Sequence, residues 1–255
     1  MVLLGRPFRT LLSREILRFT RIWVQTLIPP LLSSLLYLLV FGLALGTRIR
    51  EIEGVPYLEY ILPGIALMNV VTGSQMNSSW SVFDAKRERY IDEVLISPIS
   101  DFQIALAYSL GGTLRGVLMG AGVMLVGMPF VGVGVEHLGL LVLIGVLSAF
   151  TFSALGTMVG VLATRIEHIT FLSSVVIQPL AFLGGVFYSV GMLPEPLKIA
   201  TLFNPIFYTV DAARYATFAV SDLNPYPTVA VVFLLAALAF AGAWWSINRG
   251  PNLRY

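Results

Sequence analysis

The chain has 255 residues, of which 57% are hydrophobic and 12% charged, with a formal net charge of +2. A soluble domain carries about a quarter charged residues, so long apolar stretches between short charged ones make lipid the solvent for most of this chain. The absence of cysteine excludes disulfides, thiolate metal centres and cysteine nucleophiles, and two isolated histidines, His137 and His168, argue against a histidine-based metal or proton-relay centre.

The chain opens on PFRTLLSREILRFTRIW, which reads as a helix lying on the membrane over residues 1–22. At a 3.6-residue period Phe8, Leu11, Leu12, Phe19, Ile22 and Trp23 share one face, and Arg14, Arg18 and Arg21 share the other. A plain basic anchor is the alternative. The first span follows over residues 23–46. Its apolar run exceeds the roughly 7–15 residues of a signal-peptide core, which argues against cleavage there.

The second span, residues 60–83, has a polar side made by Asn69, Thr72, Gln75, Asn77, Ser78 and Ser79. Such residues bond between helices or line a pathway. The charged loop at residues 84–102, DAKRERYIDEVLISPISDF, also carries Tyr90, Ile91, Val94, Leu95 and Ile96. That apolar set predicts a short amphipathic helix stopped near Pro98, packed on a partner or on the protein's own spans.

The third span is predicted at residues 104–130, with Gly112, Gly116 and Gly120 on one face for close helix approach. Arg115 stands roughly 18 Å of helix beyond Gln103 at about 1.5 Å per residue. A charge at that depth costs on the order of 3 kcal/mol and must face protein or water. It contacts either a substrate path or neutral acceptors such as Asn69, Gln75 and Asn77.

Further spans are expected at residues 137–163, 170–188 and 226–247. Between the last two, residues 184–213 are apolar but broken by Pro194, Pro196 and Pro205. Two short helices that dip into the outer leaflet and return account for this, because broken backbone at membrane depth needs protein or a wet cavity around it.

Six spans place Arg6, Arg9, Arg14, Arg18, Arg21, Lys86, Arg87, Arg89, Arg165, Arg249 and Arg254 on one side. Arg48, Arg50, Lys198 and Arg214 fall on the other. The bias predicts that both termini are cytoplasmic. The sequence contains no G-x-x-x-x-G-K-[ST] phosphate loop, no H-E-x-x-H helix and no G-x-S-x-G elbow. ATP-driven work by this chain therefore requires another chain. A proton- or ion-coupled carrier is the alternative, but paired intramembrane acids are missing. A membrane-embedded enzyme finds no clustered catalytic side chains.

Several segments together resemble one family. EILRFTRIWVQTLIPP, RERYIDEVLISPIS, GGVFYSVGMLPEPL, LFNPIFYTVDAARY and WWSINRGPNLRY are similar, in order, to segments of the ABC-2 type transport permeases, in particular the YadH-like branch of bacterial inner-membrane permeases. The resemblance implies an all-α fold of one domain over residues 1–255, with six spans, an N-terminal interfacial helix and an outer re-entrant hairpin. It implies a homodimer in which each copy docks one separately encoded ATPase. The docking segment would be a coupling helix at residues 84–100, where Glu88, Arg89, Tyr90, Ile91, Glu93, Val94, Leu95 and Pro98 match the family pattern. The first, second and fifth spans would line the path for an exported lipid, glycoconjugate, drug-like or other amphipathic substrate. ATP and Mg would sit on the partner. No cofactor, metal or nucleic acid is expected on this chain, and membrane lipids are its surroundings.

Overall fold

The computed structural model describes residues 5–46 and 49–250. Helix α1, Arg6–Thr20, buries Phe8, Leu11, Glu15 and Phe19 on one face. It ends at a break at Ile22, after which α2, Trp23–Leu45, begins. The predicted apolar face of α1 is corrected at its end. Ile22 and Trp23 are 51% and 57% exposed, because the break re-aims the chain before they can continue the buried row.

A hairpin of β1, Glu51–Ile52, and β2, Val55–Pro56, precedes the next helix. Its two turn residues, Glu53 and Gly54, both have positive φ (53° and 81°), the geometry that matches strand twist in two-residue loops. Helix α3 then runs Tyr57–Arg87, about one turn beyond each end of the expected second span. At about 1.5 Å per residue its 31 residues reach roughly 46 Å. The short α4, Tyr90–Ile96, follows after Arg89, which turns the chain in the left-handed region at φ 60°.

Helix α5, Asp101–Val131, starts with a capping box. The Gln103 amide donates to Ser100 Oγ (3.3 Å), and the Ser100 amide donates to Gln103 Oε1 (3.0 Å). Helix α6, Leu138–Leu162, ends where Lys86 Nζ donates to the carbonyls of Gly160, Val161 and Ala163 (3.1, 2.6 and 2.7 Å). A lysine at a helix C-terminus satisfies orphan carbonyls and complements the dipole.

The expected fifth span is helical over Ile166–Phe182 only. It comprises α7, Ile166–Phe171, a π-helical turn at Leu172–Ile177, and α8, Gln178–Phe182. Residues 184–213 hold a 3₁₀ turn at Val190–Met192, α9 at Glu195–Leu202 and most of α10 at Pro205–Phe218. The chain closes with α11, Pro225–Arg249, capped by Asn224. The fold is essentially all-α.

Among the described residues, α2, α5, α6 and α11 are long and apolar enough to cross a membrane. The other two expected spans differ for separate reasons. The α7–α8 helix is short, and α3 is too polar. Helix α3 tolerates this because it is surrounded by protein: Tyr60, Val71, Asn77, Ser78 and Ser81 are all fully buried. Glycines on its neighbours allow the approach. A Cβ on Gly116 of α5 would lie 2.8 Å from both Val70 O and Ser74 Cβ, and one on Gly160 of α6 would lie 2.7 Å from Ser79 O. The glycine row read from the sequence thus meets a helix of the same chain. Gly116→Leu is expected to cost about 1–3 kcal/mol, the range for overpacking a close contact. Gly139→Leu, at a position in α6 with nothing within 4 Å of its Cβ, should be tolerated. Thermal unfolding in detergent compares the two.

Candidate functional site

The charged corner of the molecule lies where α1 meets α3, α4 and α5. Helix α4 is amphipathic. Ile91 is buried, and Tyr90, Val94 and Leu95 pack against the cluster that contains Phe8, Leu11 and Tyr108. Its other side exposes Asp92, Glu93 and, at 85%, Ile96. Glu88, Arg89 and Pro98, flanking the helix, are exposed as well. Of the coupling residues expected from the sequence, Tyr90, Ile91, Val94 and Leu95 therefore seat the helix on its own protein. Glu88, Arg89, Glu93 and Pro98 face outward. The most exposed apolar side chain of the helix is Ile96. Alternation along one turn of helix, rather than hydrophobicity, is what separates these roles.

Behind α4 the arginines of α1 reach inward. The Arg14 guanidinium carbon sits 3.5 Å from the centre of the Tyr90 ring. Arg18 Nη2 donates to Asn77 Oδ1 (3.0 Å) and Asn77 O (3.1 Å) on α3. Arg115 Nη1, from α5, donates to the same Asn77 Oδ1 (3.3 Å). Two guanidiniums thus converge on one neutral amide oxygen. The compensating charge is Glu15, 1% exposed. Its Oε2 accepts from Ser81 Oγ at 2.5 Å and pairs with Arg18 at 3.5 Å. Burial pushes the Glu15 carboxyl above its ordinary value, and the Arg18 charge opposes that rise.

The sequence leaves Arg115 either in a substrate path or beside neutral acceptors, and in the structure it bonds one such acceptor, Asn77. The structure does not bring Asn69 or Gln75 to it. Asn69 Nδ2 donates to Ser34 Oγ on α2 (2.9 Å), while Gln75 bonds Ser79 (2.9 Å) and receives Ser173 Oγ of the π turn (2.7 Å). Glu15 and Arg18 were missed as members of the site. Their signal was present: a lone acid on the apolar face of an arginine-rich helix has to find a cation, and Arg18 stands one turn away.

A second polar cluster, on the opposite end of α3, was also missed. Arg214 of α10 is 1% exposed rather than a loop charge. Its guanidinium carbon lies 3.8 Å from the centre of the Tyr60 ring, Nη2 donates to Gly185 O (2.5 Å), and Nη1 pairs with Asp222 (3.5 Å). Ser189 Oγ bonds both Glu53 and Asp222. Asp211 accepts the amides of Asp222 (2.7 Å) and Leu223 (3.3 Å). The cluster ties the β-hairpin, α3, α10 and the loop before α11 into one unit. Among the described residues no group of acids and histidines has the arrangement of a metal site.

Asn77→Leu removes the acceptor shared by two guanidiniums, and each buried donor left unmet costs about 1–3 kcal/mol. Thermal unfolding should fall accordingly. Thr72→Val, which loses only a bond to its own helix at Met68 O (2.8 Å), should change it little.

The ABC-2 type transporter family matches residues 6–218. The inner membrane transport permease YadH of Escherichia coli strain K12 is 35% identical over 246 residues, covering 96% of each chain. Nodulation protein J of Rhizobium meliloti strain 1021 is 25% identical over 205 residues, 79% of this chain and 77% of its own. Nodulation protein J of Rhizobium leguminosarum bv. trifolii is 25% identical over the same share. The family match over most of the chain and the 35% identity to a full-length permease show that the chain belongs to the ABC-2 type transporter family of membrane permeases.

Proposed function

We propose that this chain is the translocating subunit of an ATP-driven exporter in a bacterial cytoplasmic membrane. The observation that carries the proposal is the outward face of α4. A seven-residue helix is locked to the body by Ile91 and Leu95 while it holds Ile96, Asp92 and Glu93 free. This is the layout of a docking helix, and in this family it would meet a separately encoded ATPase. Helices α2, α3, α5, α6, α7–α8 and α11 form six spans, both termini are cytoplasmic, and α9 and α10 form a hairpin within the outer leaflet. The exposed apolar side chains of α9 and its end, Leu197, Ile199 and Phe203, support that placement.

Two copies pair, with the path between them on α2, α3 and α7–α8. Ser33, Ser174 and Gln178 are exposed polar positions on the outer two of those elements. The π turn there supports the assignment, since such turns concentrate at functional sites. The cargo is an amphipathic molecule of the lipid, glycoconjugate or drug-like class. A proton-coupled carrier is disfavoured because α2, α6 and α11 carry no Asp or Glu, and the acids of the other spans, Asp101 of α5, Glu59 and Asp84 of α3 and Glu167 of α7, all stand in the first or last turn of their helices.

Ile96→Asp should weaken co-purification with the ATPase by about tenfold or more, since burying such a side chain contributes roughly 1.5–3 kcal/mol. Leu95→Asp should instead lower the stability of the permease itself. Unchanged ATPase capture by the Ile96 variant at normal expression would refute docking through this face. For topology, Glu93→Cys should resist an impermeant thiol reagent in intact cells, and Ala200→Cys should react once any outer membrane is permeabilised. The reverse pattern would invert the orientation.

A further inference from the structure

At the charged corner an open groove of about 890 Å³ lies between α1 and the α3–α4 turn. Five arginines line it: Arg9, Arg14, Arg18 and Arg21 from α1, and Arg87 from α3. The acids along it are Asp84 and Glu88, and both are already engaged by Arg87, at 3.2 and 3.1 Å. Among the described residues Arg9 and Arg21 form no ion pair with a carboxylate, while Arg14 lies over the Tyr90 ring and its charge acts on Glu15. Arg18, paired with Glu15 and bonded to Asn77, forms the back of the groove. The groove therefore holds an uncompensated excess of planar donors, the geometry that phosphate oxygens satisfy.

Its occupant must also suit the groove's end. Beside Arg18 and Arg21 the lining turns apolar, at Leu17 and Ile22, which are 52% and 51% exposed. From there an exposed apolar run continues into α2 through Trp23, Val24 and Ile28. A soluble phosphate would use only the arginines. A molecule with a phosphate head and hydrocarbon tails uses both.

We propose that this groove is a discrete binding site for an anionic phospholipid, with the phosphodiester on the arginines and the acyl chains along the start of α2. The site goes beyond transport, because it needs neither cargo nor ATPase.

The test uses the purified permease alone in detergent, with bound lipid counted by native mass spectrometry. Phosphatidylglycerol should bind saturably and more tightly than phosphatidylcholine. Arg21→Gln, and separately Arg9→Gln, should weaken phosphatidylglycerol about fivefold, the loss expected for one arginine facing an anionic surface. Arg6→Gln removes the same charge from the same helix outside the groove and should leave binding unchanged. Equal affinity for the two lipids would overturn the proposal. So would an Arg6 variant as weak as the Arg21 variant, which would mean diffuse attraction. Full displacement of lipid by inorganic phosphate would leave a simple anion site in its place. Loss of ATPase capture in the Arg9 and Arg21 variants, with lipid binding intact, would make the groove a protein-docking surface.

Discussion

The structure depends on the satisfaction of one polar helix away from water. Helix α3 carries Asn69, Gln75, Asn77 and four serines from Ser74 to Ser81. Left facing hydrocarbon, each unmet group would cost several kcal/mol. The neighbours meet most of them at short range, the buried Asn77 Nδ2 being the exception. Ser78 Oγ and Ser153 Oγ lie 2.7 Å apart, Ser79 Oγ donates to Gly156 O (3.0 Å), and Ser34 receives Asn69. Small side chains on α5 and α6 make this reach possible. Glycine therefore serves the polar bonding as much as the van der Waals packing, and replacing either disturbs both.

The same helix organises the charged corner. Asn77 and Ser81 hold Arg18, Arg115 and Glu15, so α1 is fastened to α3 by charge-assisted bonds as well as by Phe8, Leu11 and Phe19. Lys86 fastens the end of α3 to the end of α6. Only Glu88 and Arg89 separate α3 from α4. Under the proposed docking, a displacement of α4 has little slack to lose before it reaches the hub. The π turn between α7 and α8 offers a contrasting element. It touches α3 through the Ser173–Gln75 bond, and two of its own residues, Val175 and Val176, are exposed.

At the far end of α3, Arg214 performs a similar fastening role through different chemistry. It stacks on Tyr60 and bonds Gly185 and Asp222, joining segments that are distant in the chain. A buried ion pair adds little net stability, because desolvation offsets much of the attraction. Its place here is consistent with fixing how α10 and the preceding loop sit on the hub. The apolar residues of α10 on that same contact, Ile206, Val210 and Ala213, are fully buried and supply the burial term.

The sequence by itself determined the helical class, the four strongly apolar spans, the broken region near Pro194 and Pro205, and the amphipathic pieces at α1 and α4. These follow from length, hydropathy and period, which are local properties of a chain in lipid. It also marked Asn77 and Arg115, since a polar group at membrane depth is conspicuous wherever it points. Tertiary structure alone decided which polar groups meet. Asn69, Gln75 and Asn77 share one helix yet serve α2, the π turn and the arginines separately, because successive turns of α3 face different neighbours. It decided that Leu95 faces in while Ile96 faces out. It also decided that Glu15 and Arg214 are buried rather than solvated. Glu15 is paired within its own helix by Arg18, but Ser81 of α3 completes its bonding, and Arg214 is buried against Tyr60, Gly185 and Asp222, all distant in the chain or beyond its helix.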